Sequence, residues 1–159
     1  MALLEWRKEY CTGFKGVDYE HESLIQQINA VYALISDKAE RDLVIDSLGE
    51  IYGSISAHFA LEEQMMVRHD YVDYQQHKAD HDRLLDEIRD ITEEFEATEQ
   101  LDDAAFTRKL ADWFKPHFQT HDARLHKLAN MSSHDSVNQS TLKALIQNAK
   151  KRLLQRPQQ

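Results

Sequence analysis

Cysteine is almost absent from this chain: Cys11 is the only one in 159 residues, so no intrachain disulfide can form. A packed core must hold the fold instead, and a lone thiol suits a reducing compartment. Cys11 itself reads as an ordinary thiol. Proline occurs twice and glycine four times, too little punctuation for an all-β fold with frequent tight turns. No stretch approaches the roughly 20 apolar residues that a membrane-spanning helix requires. Met1 to Leu4 is too short for the apolar core of a secretory leader, and Glu5 and Arg7 interrupt it. The expected location is cytoplasmic, with no membrane partner.

Positive charge is scarce as well. Lys and Arg total 19 against 28 Asp and Glu, a net charge of -9. The balance is uneven. Residues 134–159 carry five basic residues against Asp135, a net +4, which leaves -13 on the rest. An acidic body repels phosphate, so nucleic acid is not an expected partner.

What the chain does have is helix-forming residues, patterned at spacings of three and four. The first stripe is His21, Leu24, Ile28, Val31 and Ile35. The second is Ile45, Leu48, Tyr52, Ile55, His58, Glu62 and Met65. The third is His77, His81, Leu84, Ile88, Ile91 and Phe95; the fourth is Phe106, Leu110, Trp113, His117, Leu125 and Leu128. Each marks one buried helix face. Connections near residues 37–40, 69–74 and 97–102 are short, which makes neighbouring helices antiparallel. The predicted fold is all-α, an up-down-up-down four-helix bundle. An N-terminal arm over residues 1–17 packs Trp6, Tyr10 and Phe14 on the body, and Asp18 is the predicted N-cap of the first helix. Pro116 predicts a kink near residues 112–116. An extra C-terminal helix is expected over about 139–154. The predicted division is 1–133 for the bundle and 134–159 for a helical extension or linker.

Four stripes contain residues that a core does not ordinarily hold. His58 and Glu62, and likewise His77 and His81, are four apart and converge on one side of a helix. A buried Glu needs a cationic partner, and buried imidazoles need partners for their nitrogens. A shared metal centre answers both. With helix directions alternating, His21, His58, His77, His81 and His117 all fall towards one end of the bundle. Helical spacing alone favours His121 over Asp122 as the companion of His117, because a residue five along lies about 140° away. Seven donors in one cluster would overfill a zinc site, which takes four. Glu63, one residue off this face, reads as solvated; His69 and His134 read as exposed, and His126 as a surface residue or an outer partner of the site.

These residues resemble the hemerythrin signature. It is carried by His21, by His58-Phe59-Ala60-Leu61-Glu62, by His77-Lys78-Ala79-Asp80-His81, and by His117-Phe118-Gln119-Thr120-His121-Asp122. Trp6, the Glu62-Glu63 doublet before Met65 and Met66, and Trp113 four before His117 are similar too. The resemblance implies two iron ions with an oxo or hydroxo bridge and reversible binding of dioxygen. By that pattern His77, His81 and His117 hold one iron, His21 and His58 hold the other, and Glu62 and Asp122 bridge them. Dioxygen would take the open position on the two-histidine iron and be reduced to a bound hydroperoxide. Phe59 and Phe114 are the expected walls of the oxygen pocket, with Leu24, Ile28, Ile55 and Leu84 as further candidates. Five neutral imidazoles should leave the pair less oxidising than carboxylate-rich di-iron sites.

Three departures stand out. Phe114 replaces the Leu usual three before the ligand, Pro116 precedes His117, and Glu20 stands beside His21 where Gln is usual. The expected role is oxygen sensing, transport or storage without enzymatic turnover. The alternatives are a sensor domain acting on an effector domain through the C-terminal extension, a peroxidase or nitric oxide-handling enzyme using the same irons, and plain metal storage.

Overall fold

The computed structural model describes residues 2–98 and 102–125. A 3-10 turn, Lys8–Tyr10, precedes four helices: α1 (Lys15–Ser36), α2 (Arg41–Arg68), α3 (Tyr74–Ala97) and α4 (Asp103–His117). A π-helical turn, Phe118–Asp122, continues α4. Neighbours pack in a closed ring, α1 on α2, α2 on α3, α3 on α4 and α4 on α1, with no strand among the described residues. This is the up-down-up-down bundle that the stripes predict.

The predicted faces are buried almost as written. All five positions of the first stripe and all six of the third lie in the core. The second shifts at its start: Val44 and Ile51 are buried, whereas Ile45 and Tyr52 are only partly so. Trp113 Nε1 donates to the Leu84 carbonyl at 3.0 Å and fixes α4 against α3. Leu125 is buried; Leu128, His126, His134, the boundary at 134 and the helix expected over 139–154 lie outside the described residues.

The helix ends have local causes. Lys38 and Asp70 adopt left-handed backbone, φ 52° and 48°. Ala39 N–H then donates to the Leu34 carbonyl and Lys38 N–H to that of Ile35; Tyr71 and Asp70 do the same to Met66 and Val67. Each is a Schellman closure that turns the chain back with no glycine. Asp102 caps α4, accepting from the backbone of Ala104 and Ala105.

Asp18 is not the N-cap of α1. The helix begins three residues earlier, with Phe14 in the cap position. The Asp18 carboxylate instead reaches back to Thr12 N–H (2.6 Å), Thr12 Oγ1–H (2.9 Å) and Gly13 N–H (3.3 Å), so it ties the arm to the helix. Gly13 has φ 87°, a conformation that suits glycine. Asn29 pins the arm further, exchanging two 2.9 Å hydrogen bonds with the Leu4 backbone. Tyr10 and Phe14 are buried as predicted.

Pro116 lies inside α4, which stays helical through residues 112–116 to His117. A π-turn follows the proline directly.

Two apolar blocks result. The larger fills most of the bundle, from Ile35 and Phe95 up to Phe59, Phe114 and Phe118. The smaller holds Phe14, Val17, Leu61, Met65, Met66 and Leu125. In α1, α2 and α4 with its π-turn the polar ligand-type residues fall in sequence between members of the two blocks or at their junction; in α3 they lie between Tyr74, partly buried against the smaller block, and Leu84 of the larger. A polar layer is thus closed by hydrocarbon on both sides.

Candidate metal centre

All seven residues singled out from sequence meet in that layer, and each is at most 1 % exposed. α1 supplies His21, α2 His58 and Glu62, α3 His77 and His81, α4 His117, and the π-turn Asp122. They form two overlapping groups. One is Glu62, His77, His81, His117 and Asp122; the other is His21, His58, Glu62 and Asp122. Within each group the candidate ligand atoms lie within 4.8 Å of one another, and both carboxylates belong to both groups.

The five imidazoles turn the same nitrogen inward. His77 Nε2 is 3.5 Å from Glu62 Oε2 and 3.2 Å from Asp122 Oδ1. His81 Nε2 is 3.2 Å from Glu62 Oε2. His21 Nε2 is 3.1 Å from Asp122 Oδ2 and 3.0 Å from His58 Nε2. His117 Nε2 is 2.8 Å from Asp122 Oδ1 yet makes no hydrogen bond with it. Those two atoms are close without pointing at each other. Glu62 Oε1 and Asp122 Oδ2 are buried and likewise lack a hydrogen-bond partner. Buried polar atoms left so are rare unless another group satisfies them. This donor set fits a metal pair.

The outward nitrogens fix how the rings are held. His58 Nδ1 meets Glu20 Oε2 at 2.9 Å, His81 Nδ1 meets Glu63 Oε1 at 3.0 Å, and His117 Nδ1 meets Asp80 Oδ2 at 2.6 Å. His21 Nδ1 faces the Tyr10 carbonyl at 3.4 Å. Carboxylate and carbonyl oxygens accept only, so in each pair Nδ1 carries the proton and donates. Nε2 is thereby left for a cation, the usual arrangement of a metal-ligating histidine. Glu63 is therefore an outer partner of His81 and not the solvated residue that its place off the ligand face predicts. Asp80 and Glu63 were missed as partners because their contacts cross between helices.

Electrostatics agree. Burial would depress His77 and His117, but Asp122, Glu62 and, for His117, Asp80 outweigh it, raising the two to about 9 and about 10. His21 is raised by the same balance of burial against Asp122 and Glu62. Burial would raise Glu62 and Asp122, yet the surrounding imidazoles hold both well below the usual carboxylate range. Without metal, protons on the imidazoles supply the positive charge that the carboxylates demand.

The π-turn decides between His121 and Asp122. Its i→i+5 hydrogen bonding brings residue 122 back over residue 117. Asp122 is wholly buried among the imidazoles. His121 belongs to neither group; its side chain is 17 % exposed and its Nε2 stands 3.7 Å from Asp80 Oδ2.

Phe59 stacks on His81 with ring centroids 3.8 Å apart, and Phe114 lies 5.4 Å from His117. Both predicted pocket rings thus pack beside the three-histidine group. Against the two-histidine group lie Phe118, 4.5 Å from His21 and 4.1 Å from Phe114, and Phe59 again, 5.7 Å from His58. Phe118 was not singled out as a wall from sequence, because the π-turn sets where it points.

The family model for the Hemerythrin HHE cation binding domain matches residues 12–129. The chain belongs to the hemerythrin family. A bacteriohemerythrin of Methylococcus capsulatus is 29 % identical over 120 residues, covering 74 % of this chain and 89 % of that protein. A bacteriohemerythrin of Stenotrophomonas maltophilia is 26 % identical over 122 residues, covering 77 % and 78 %. A crystal structure of a hemerythrin with a leucine-to-tyrosine substitution superimposes with a TM-score of 0.72 at 26 % identity, covering 81 % of this chain and 98 % of that one. The hemerythrin match spans every residue of the polar layer. No helix among the described residues is long and apolar enough to cross a membrane.

Proposed function

We propose that this hemerythrin domain holds two iron ions and binds dioxygen reversibly. The observation that carries the reading is the overlap of the two ligand groups through Glu62 and Asp122. Two carboxylates common to both groups suit two ions side by side, and seven donors exceed what one tetrahedral ion takes. In this reading His77, His81 and His117 serve one ion and His21 and His58 the other. The unequal division, three imidazoles against two, leaves the second ion with room for a small ligand. A reduced iron pair would supply the electrons and the free coordination position that dioxygen capture requires.

The chain's own residues do the rest. Glu20, Glu63, Asp80 and the Tyr10 carbonyl orient four imidazoles through their Nδ1 atoms. Phe59, Phe114 and Phe118, none more than 1 % exposed, exclude water from one side of the layer. Leu61, Met65, Met66 and Leu125 close the other. A dry apolar wall favours holding and releasing a ligand over turning it over. The protein is accordingly read as a carrier or sensor of oxygen and not as an enzyme.

The test is an optical titration of the iron-loaded protein from anaerobic to aerobic, with iron counted on the same sample. A colourless reduced form that colours in air, and bleaches when oxygen is withdrawn, supports the reading. Colour that forms once and persists points to a redox-active enzyme or sensor. A protein that takes up no iron refutes the di-iron reading.

A further inference from the structure

Three carboxylates sit behind the imidazoles, and they are not equivalent. Glu63 lies 3.8 Å from Lys78 Nζ, and Asp80 accepts from Arg83 Nε at 2.9 Å. Each of these acids therefore shares its charge with a partly exposed cation, and each serves the three-histidine group. Glu20 serves the two-histidine group. It is 6 % exposed, its Oε2 meets His58 Nδ1 at 2.9 Å, and its Oε1 is buried without a hydrogen-bond partner. Among the described residues no Lys or Arg stands within ion-pair distance of it.

We propose that Glu20 is a positioning residue that makes His58 the strongest-donating imidazole of the centre, and so biases the two-histidine ion towards its oxidised state. The inference rests on the di-iron reading above. A carboxylate that accepts an Nδ1–H pushes electron density into the ring and raises its basicity at Nε2. A neighbouring cation withdraws part of that effect, and low dielectric strengthens what remains. His81 and His117 feel acids whose charge is partly neutralised at the surface; His58 feels one that has no Lys or Arg partner among the described residues. The asymmetry places the most electron-rich imidazole on the ion that has room for an exogenous ligand.

Glu20→Gln separates charge from geometry, because the amide oxygen can still accept from Nδ1 while the charge is gone. The iron-loaded variant is expected to keep two irons per chain, to show a higher midpoint potential than wild type, and to oxidise severalfold more slowly in air after reduction. Glu63→Gln is expected to move the potential less, since Lys78 already offsets that acid. Glu20→Leu removes the acceptor altogether and is expected to weaken binding of one of the two ions about 10-fold or more, with Glu20→Gln recovering it. A Glu20→Gln potential equal to wild type, or a shift no larger than that of Glu63→Gln, overturns the proposal.

A metal-free measurement keeps the test independent of the di-iron reading. The His58 Nδ1–H proton resonance of the apoprotein should move upfield in Glu20→Gln as the charge-assisted hydrogen bond weakens. An unmoved resonance overturns the proposal even in a chain that takes up no iron.

Discussion

Asp122 Oδ1 lies 2.8 Å from His117 Nε2 although the two stand five positions apart in sequence. A regular α-helix would turn them about 140° apart. The π-turn of Phe118–Asp122 supplies the residue that closes the gap, as such turns often do at functional sites. Pro116 is set just ahead of it and removes one backbone donor from the ladder.

Asp122 and Glu62 are the two residues common to both ligand groups. Asp122→Ala and Glu62→Ala should each lower bound iron from two per chain to one or none, with helix content retained. Metal analysis beside circular dichroism checks this. Two irons and an unchanged spectrum in either variant would remove that residue from the bridge.

Phe114 is fully buried against Phe118 and His117. Phe114→Leu should open space in this wall at a stability cost on the order of 1 kcal/mol. Faster ligand exchange in stopped flow, with unchanged metal content, is the expected outcome. Unaltered exchange would show that Phe114 does not gate the ligand's path.

The apoprotein should lose stability as the solution becomes alkaline. His77 and His117 titrate at about 9 and about 10 when folded, against about 6.5 unfolded. A raised folded value stabilises fully below the unfolded one, and the contribution disappears as pH rises through 9 to 10. Glu62 and Asp122 are depressed, so their contribution is present above about pH 4 and is lost in acid. Thermal melts of metal-free protein from pH 4 to pH 10 should therefore be highest between roughly pH 5 and pH 7. A melting temperature that climbs from pH 7 to pH 10 would contradict the electrostatics of the layer.

Lys38 closes α1 with φ 52° and an exposed side chain. A left-handed conformation costs a residue with a Cβ about 1–2 kcal/mol, which glycine avoids in part. Lys38→Gly should raise stability by about 0.5–1 kcal/mol with no change in metal content. Denaturant unfolding measures it; a loss of stability would mean that the Lys38 side chain makes a compensating contact.

The sequence alone determined the helices, the buried face of each and six of the seven clustered residues, because periodicity is local: His77, His81, Leu84, Ile88, Ile91 and Phe95 share a face by spacing whatever lies opposite. Antiparallel order then carried His21, His58 and His117 to one level. Spacing favours His121 over Asp122; resemblance to the family favours Asp122, and the backbone places it through a π-turn whose widening depends on packing around it. Spacing could not pair Glu20 with His58, Glu63 with His81 or Asp80 with His117, since those contacts need the rotation and register of one helix against the next. Phe118 against His21 belongs to the same class. Which residues face inward is fixed by the chemistry of each segment, but which atoms meet there is fixed only when four helices settle against one another at van der Waals contact.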